Sequence, residues 1–323
     1  MFRHKYLREK KLGSILVAVC CLLVTLLAAA QAAEKQTEPQ WRLDAKTGAV
    51  LPRSWRFMTD EFTNKPQTVP SRQGLDKLRC SASAEFSGTG LALVKDKICS
   101  KAGKDAVIYV VDLRRESHGF VNGDLPVSSY VKGNRGNLNL STKAVEQAEK
   151  KLLQSIVGQQ VKFVPLGKTD TKLFGECTVQ VKTVETEKDI AAKQGMRYKR
   201  IAITDQAAPA DTDIDDFMAF YASLPRNAWL HFHCHAGHGR TTTFAVFYDI
   251  LCNPDVALAD IAARQYALGG TNLFQIGKKD SWKNREKKKR AQKIRSFYAY
   301  VQANRSTNFA KKYSQWVKEQ PAQ

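Results

Sequence analysis

The chain has 323 residues, enough for one large domain or for a main domain with a smaller insert. Apolar residues make up 43% and charged residues 25%, a globular balance that argues against wholesale disorder. The formal net charge of +20 calls for an anionic partner: nucleic acid, a membrane surface or a polyphosphorylated small molecule.

Residues 1–11 carry Arg3, Lys5, Arg8, Lys10 and Lys11 against one acid, Glu9. An apolar run from Leu12 to Ala30 follows and ends in Ala30-Gln31-Ala32, a small-residue cleavage pattern. This is the layout of a secretory signal peptide cut after Ala32. The run is near the length of a membrane span. No basic stop-transfer flank follows it, so the expectation is removal, no stable membrane anchor, and a periplasmic or secreted protein. Residues 33–323 then form the mature domain, with Ala33–Gln40 as a loose new N-terminus. The mature cysteines are Cys80, Cys99, Cys177, Cys234 and Cys252. Their odd number in an oxidising compartment leaves at least one free thiol, and Cys234 is the candidate. Cys80–Cys99 is the first candidate disulfide.

Ala106–Leu113 is an apolar, β-branched run and predicts a buried strand. Lys143–Val157 places Val145, Ala148, Leu152, Leu153 and Ile156 at helical spacing. The stretch near 159–187 switches to strand-like runs separated by Gly and polar residues, which predicts a small β-rich insert. Thr186–Gln194 reads as a short helix and Tyr198–Ile203 as a strand. Asp213–Leu224 reads as a helix with Asp213 as its cap and Phe217, Phe220 and Tyr221 on one face. Trp229–His233 is a short strand, and Arg240–Cys252 and Val256–Leu268 are helices. Ser281–Asn304 is a long basic helix with an apolar stripe of Ala291, Ile294, Phe297, Tyr298 and Val301. Strands alternating with helices predict an α/β core with a mainly parallel sheet.

The chemistry concentrates in the segment from His231 to Thr241, between a predicted strand and a predicted helix. The carboxyl end of a strand in such a sheet is where ligands bind. A short loop entering a helix offers inward backbone N–H groups, and these favour an anion. Gly237 and Gly239 allow the tight backbone that a phosphate cradle of His235, Ala236, Gly237, His238 and Gly239 needs. Arg240 supplies a planar fork for two phosphate oxygens. Cys234 would sit in the same positive field, which keeps it as the reactive thiolate. Attack on phosphorus would give a cysteinyl-phosphate, later hydrolysed by water. Thr241 can donate its hydroxyl to the sulfur and help it leave. Asp205, in a Pro-containing loop after a predicted strand, is the candidate acid for the leaving oxygen. Asp211, Asp213, Asp215 and Asp216 are nearby alternatives. His231, His233, His235 and His238 crowd around Cys234 and raise a metal reading, but no second cysteine or carboxylate sits at ligand spacing. No metal and no cofactor are implied.

These residues resemble a known family. Cys-x5-Arg-Thr is the signature of protein tyrosine phosphatases. The longer string resembles the bacterial protein-tyrosine-phosphatase-like phytases, which act on inositol hexakisphosphate. The similar segments are Trp41–Asp44, Leu51–Arg56, Asp112–Gly123, Pro165–Lys168, Gly195–Asp205, Trp229–Thr242, Lys279–Lys283 and Phe297–Arg305. The resemblance implies a phosphatase-like core with a small partial β-barrel inserted. It implies Cys234 as nucleophile, Arg240 as clamp and Asp205 as general acid. It also implies a ring of basic side chains, Arg56, Lys172, Lys279, Lys283 and Arg290, around a deep pocket for an inositol polyphosphate. Two departures stand out. The acid loop reads Thr204-Asp205-Gln206-Ala207-Ala208-Pro209, without the His and Trp that the family usually places there. Residues 130–138 lack an expected Asp-Trp pair and carry Asn134-Arg135 instead.

The expected activity is therefore a metal-independent inositol polyphosphate phosphatase. The loop histidines His235 and His238 are expected to charge below about pH 6–7 and favour phosphate binding. A tyrosine or phosphoinositide phosphatase would use the same loop. A non-catalytic inositol-phosphate-binding module would not need Cys234, Arg240 and Asp205 together. The basic helix Lys283–Arg295 brings no nucleic-acid motif with it, so no nucleic acid is expected as partner.

Overall fold

The structure is a computed structural model that describes residues 40–64, 68–131 and 134–321. The expected signal peptide and the segment 33–39 lie outside the described residues. The strands are β1 (Gln40–Leu43), β2 (Arg56–Phe57), β3 (Cys80–Ser83), β4 (Val107–Asp112), β5 (His118–Val121), β6 (Leu125–Tyr130), β7 (Gln160–Pro165), β8 (Cys177–Gln180), β9 (Val184–Glu185), β10 (Arg197–Arg200) and β11 (Ala228–His233). The helices are α1 (Gly88–Ala102), α2 (Thr142–Gln154), α3 (Asp170–Leu173), α4 (Glu187–Lys193), α5 (Asp211–Ala222), α6 (Gly239–Cys252), α7 (Leu258–Ala267), α8 (Trp282–Asn304) and α9 (Tyr313–Lys318).

The core sheet runs β10-β4-β11-β3-β2. Its first four strands are parallel, and β2 closes the edge antiparallel. This is the mainly parallel sheet flanked by helices that the alternation of elements predicts. Side chains of β11 alternate between its faces. Leu230 and Phe232 enter one apolar core with α5, α6 and α8. Trp229 enters the opposite core with α1 and α4. His231 and His233 share that second face, with their rings 6.2 Å apart and nearly parallel. Helix α6 is buried on every side from Arg240 to Leu251, the mark of a central helix.

The second sheet is curled, in the order β8-β7-β1-β6-β5-β9. It is wider than the β-rich stretch near 159–187. It also takes β1 from ahead of the core and the β5–β6 hairpin from between β4 and α2. That hairpin turns at Asn122-Gly123, with φ of 51° and 80°, the left-handed pair that tight hairpins favour.

Two sequence-based expectations are corrected. Asp213 does not cap α5. The helix begins at Asp211, and the Asp213 carboxylate reaches back to accept from Ala210 N–H at 2.7 Å. Cys80 and Cys99 are not bridged; both are free thiols, as are Cys177, Cys234 and Cys252. Cys80 belongs to the α6 side of the sheet and Cys99 packs on the α1 side, so the sheet itself stands between them.

Candidate active site

The loop from Cys234 to Arg240 joins β11 to α6. Its carbonyls are held from behind. Glu85 N–H donates to His235 O at 3.2 Å, Ser54 Oγ to Ala236 O at 3.1 Å, and Arg56 Nη1 to Gly237 O at 3.1 Å. In a planar trans peptide the N–H points opposite to the carbonyl, so the following amides turn toward the cleft. Gly237 is required here. Its φ is +69°, and a Cβ would come within 2.8 Å of the Ser83 and Ala84 backbone.

Cys234 Sγ accepts a hydrogen bond from Thr241 Oγ1 at 3.1 Å. Burial pushes the thiol up, but the Arg240 guanidinium and the Thr241 hydrogen bonds outweigh it and bring it below the ordinary thiol range. Arg240 lies on Glu116, donating from Nη1 at 2.7 Å and from Nη2 at 3.0 Å. Nη1 also donates to Leu113 O and Ile203 O, the latter at 3.1 Å. Its Nε is buried and has no partner among the described residues, a donor that an anion would satisfy. Asp205 Oδ1 is 3.1 Å from Arg240 Nη2 and 27% of its side chain is exposed, so it stands at the mouth of the same cleft.

The cleft measures about 550 Å³ and is lined by Cys234, Arg240, Asp205 and the loop residues His235, Ala236, His238 and Gly239. Of the expected basic ring, Lys283 and Arg290 line it. Lys172 and Lys279 are exposed and do not. Arg56 does not join the ring either. It is fully buried beneath the loop, where burial lowers its pKa to about 10 and still leaves it charged at neutral pH. Its charge supports the loop from below. Lys287 also lines the cleft and was missed by the sequence reading. The signal was present: residues 283, 287 and 290 fall on one helical face.

The histidines do four different things. His231 sits between Ser81 Oγ and Ser83 Oγ, at 3.0 and 3.1 Å. His233 Nε2 pairs with Glu187 at 2.7 Å; burial opposes its charge, but Glu187 and Glu85 raise its pKa to about 9. His235 Nε2 lies 3.2 Å from Asp170 and 3.5 Å from Asp44. Burial holds His235 below the ordinary range, and on the cleft rim His238 is lowered by burial and by Arg56 and Arg53. Both shifts run in the direction of the expectation that these two histidines charge only below about pH 6–7. Two buried groups, Glu85–Glu187–His233 and Asp112–His118–Glu187, bring metal-type ligand atoms within 4.8 Å of one another. Arg114 pairs with Glu85 and Arg200 with Asp112, so these carboxylates already face cations.

The family model of PTP-like phytases, described as "Inositol hexakisphosphate", matches residues 111–252. A PTP-like phytase structure from Bdellovibrio bacteriovorus is 30% identical, with a TM-score of 0.69, covering 88% of this chain and 96% of its own. This chain belongs to the PTP-like phytase family. A PTP-like myo-inositol phosphatase from Mitsuokella multacida, solved with myo-inositol-(1,3,4,5)-tetrakisphosphate, is 37% identical with a TM-score of 0.80. That match covers 87% of this chain and 49% of the Mitsuokella chain. Effector protein hopD2 of Pseudomonas syringae pv. tomato is 26% identical over 65% of this chain and 46% of its own. The chain therefore spans about half the length of these last two proteins. Within this PTP-like phytase-family chain, the segment missing the Asp-Trp pair includes residues 132 and 133, which lie outside the described residues. Of its neighbours, Arg135 stacks its guanidinium 3.9 Å from the Trp282 ring at the start of α8. Asn134 Nδ2 reaches Glu116 Oε1 at 3.4 Å.

Proposed function

We propose that this protein is an inositol polyphosphate phosphatase working through a cysteinyl-phosphate intermediate. One observation carries the reading. Lys283, Lys287 and Arg290, all on one face of α8, line the same cleft as Cys234 and Arg240. A substrate with several phosphates gives each of these cations a partner, whereas a single phosphoryl group needs only the loop. The tetrakisphosphate bound by the Mitsuokella relative is a ligand of this chemistry.

Arg240 and the loop amides bind one phosphate with its phosphorus facing Cys234. The thiolate attacks, the S–P bond forms, and the ester P–O bond breaks. Asp205 gives its proton to the leaving inositol oxygen. Water then attacks phosphorus, Asp205 takes the proton back from it, and the S–P bond breaks. Thr241 Oγ1–H, already on the sulfur, stabilises the departing thiolate.

The test is phosphate release from inositol hexakisphosphate in the presence of a chelator, beside an aryl phosphate and a phosphotyrosine peptide. The expected result is strong turnover of the inositol phosphate that disappears in Cys234→Ser. Turnover confined to the aryl and peptide substrates would instead mark a tyrosine phosphatase. Loss of activity with chelator would count against metal-free chemistry.

A further inference from the structure

The acid loop departs from the family at Gln206–Ala208, yet it is firmly held. We propose that Glu286 and Arg290 of α8 are positioning residues that grip this loop from outside and fix Asp205 where it can protonate a poor leaving group. The inference rests on the reading of Asp205 as general acid.

The loop's own bonds are few. Ala207 N–H donates to Thr204 O at 3.1 Å, and Gln206 takes a left-handed φ of 63°, which a non-glycine residue adopts only when its surroundings hold it there. Helix α8 supplies that hold. Glu286 Oε2 accepts from Ala208 N–H at 3.0 Å. Arg290 Nη2 donates to Gln206 O at 2.9 Å and to Ala207 O at 2.8 Å. The two residues are one helical turn apart, and together they hold two successive peptides of the loop, 206–207 by its carbonyl and 207–208 by both its carbonyl and its N–H. The other Glu286 oxygen accepts from Lys289 Nζ at 2.8 Å, which fixes the carboxylate. The bonds made by Glu286 and Arg290 are charge-assisted, the stronger kind.

Arg290 has two duties, since it also lines the substrate cleft. Glu286 has one. It lines a separate cleft of about 630 Å³ with Ala208, Pro209 and Tyr313 on the far side of the loop, away from Cys234. That makes Glu286 the clean probe. Proton transfer needs a heavy-atom separation of about 2.6–3.2 Å, so a small loop shift is felt in the protonation step before it is felt in binding.

The experiment compares kcat/KM, which reports the steps through P–O cleavage and not the hydrolysis of the common cysteinyl-phosphate, on phenyl phosphate, whose leaving group needs a proton, and on 4-nitrophenyl phosphate, whose leaving group needs it far less. Glu286→Ala is expected to lower kcat/KM on phenyl phosphate about tenfold more than on 4-nitrophenyl phosphate, as a misplaced acid would. Glu286→Gln keeps an acceptor for Ala208 N–H and is expected to restore most of that difference. Equal losses on both substrates would show a merely structural role and overturn the proposal, as would no loss on either. A wild-type protein that hydrolyses aryl but not inositol phosphates would remove the substrate reading and leave this comparison intact.

Discussion

Arg240→Lys is expected to lower kcat/KM on every phosphomonoester by about 10³-fold, the usual scale for losing a preorganised transition-state donor. The charge survives this substitution, so a purely Coulombic role would leave most activity. The geometry does not survive. Arg240 uses Nη1 and Nη2 on Glu116 and keeps Nε without a partner among the described residues. A lysine has one nitrogen and cannot hold Glu116 with two atoms while presenting a third. The thiol should also respond, because the guanidinium is the main force that lowers it against burial. The alkylation rate of Cys234 against pH is the second readout, and its midpoint should move upward. Near wild-type turnover in Arg240→Lys would mean that phosphate is held elsewhere.

Glu116→Gln is expected to destabilise the protein by about 3–5 kcal/mol, the cost of breaking a buried ion pair by removing one partner. Glu116 is buried between two arginines. Its Oε1 accepts from Arg114 Nε and from Arg240 Nη2, both at 3.0 Å, and its Oε2 accepts from Arg240 Nη1. Burial favours its protonation, but Arg240 and Arg114 hold the carboxyl well below its usual range. A glutamine amide turned toward these guanidiniums meets them donor to donor. Asp44 and Glu85 still face Arg114, and Asp205 still faces Arg240, so the fold is expected to persist at low denaturant. Urea unfolding checks the value. A loss below about 1 kcal/mol, the range of an exposed pair, would show that Glu116 does not carry this network.

The loop was legible in the sequence because its parts are contiguous. Strand, cysteine, glycines, arginine and helix fall within one short segment, and local rules join them. The supports were not legible. Glu116 acts on a residue 124 positions away and Glu286 on one 78 positions away, and no local pattern marks either. Arg56 shows the opposite failure. Similarity placed it among the pocket cations, but it lies in a two-residue edge strand whose side chains are buried, and it supports the loop from beneath. The curled sheet was only partly legible. Its strands come from three separate stretches and most are four residues or shorter, too short for alternation to identify them. The core strands Val107–Asp112 and Ala228–His233 read clearly because they are longer and buried throughout or nearly so.

The most direct test of the central claim, that Cys234 attacks phosphorus, is to mix enzyme with substrate, quench in acid within the turnover time, and map the phosphoryl group by mass spectrometry. The expected result is one phosphoryl group on the peptide carrying Cys234, accumulating further in Thr241→Ala because sulfur then leaves more slowly. Turnover by Cys234→Ser, with no phosphoryl group on the wild-type cysteine, would contradict it.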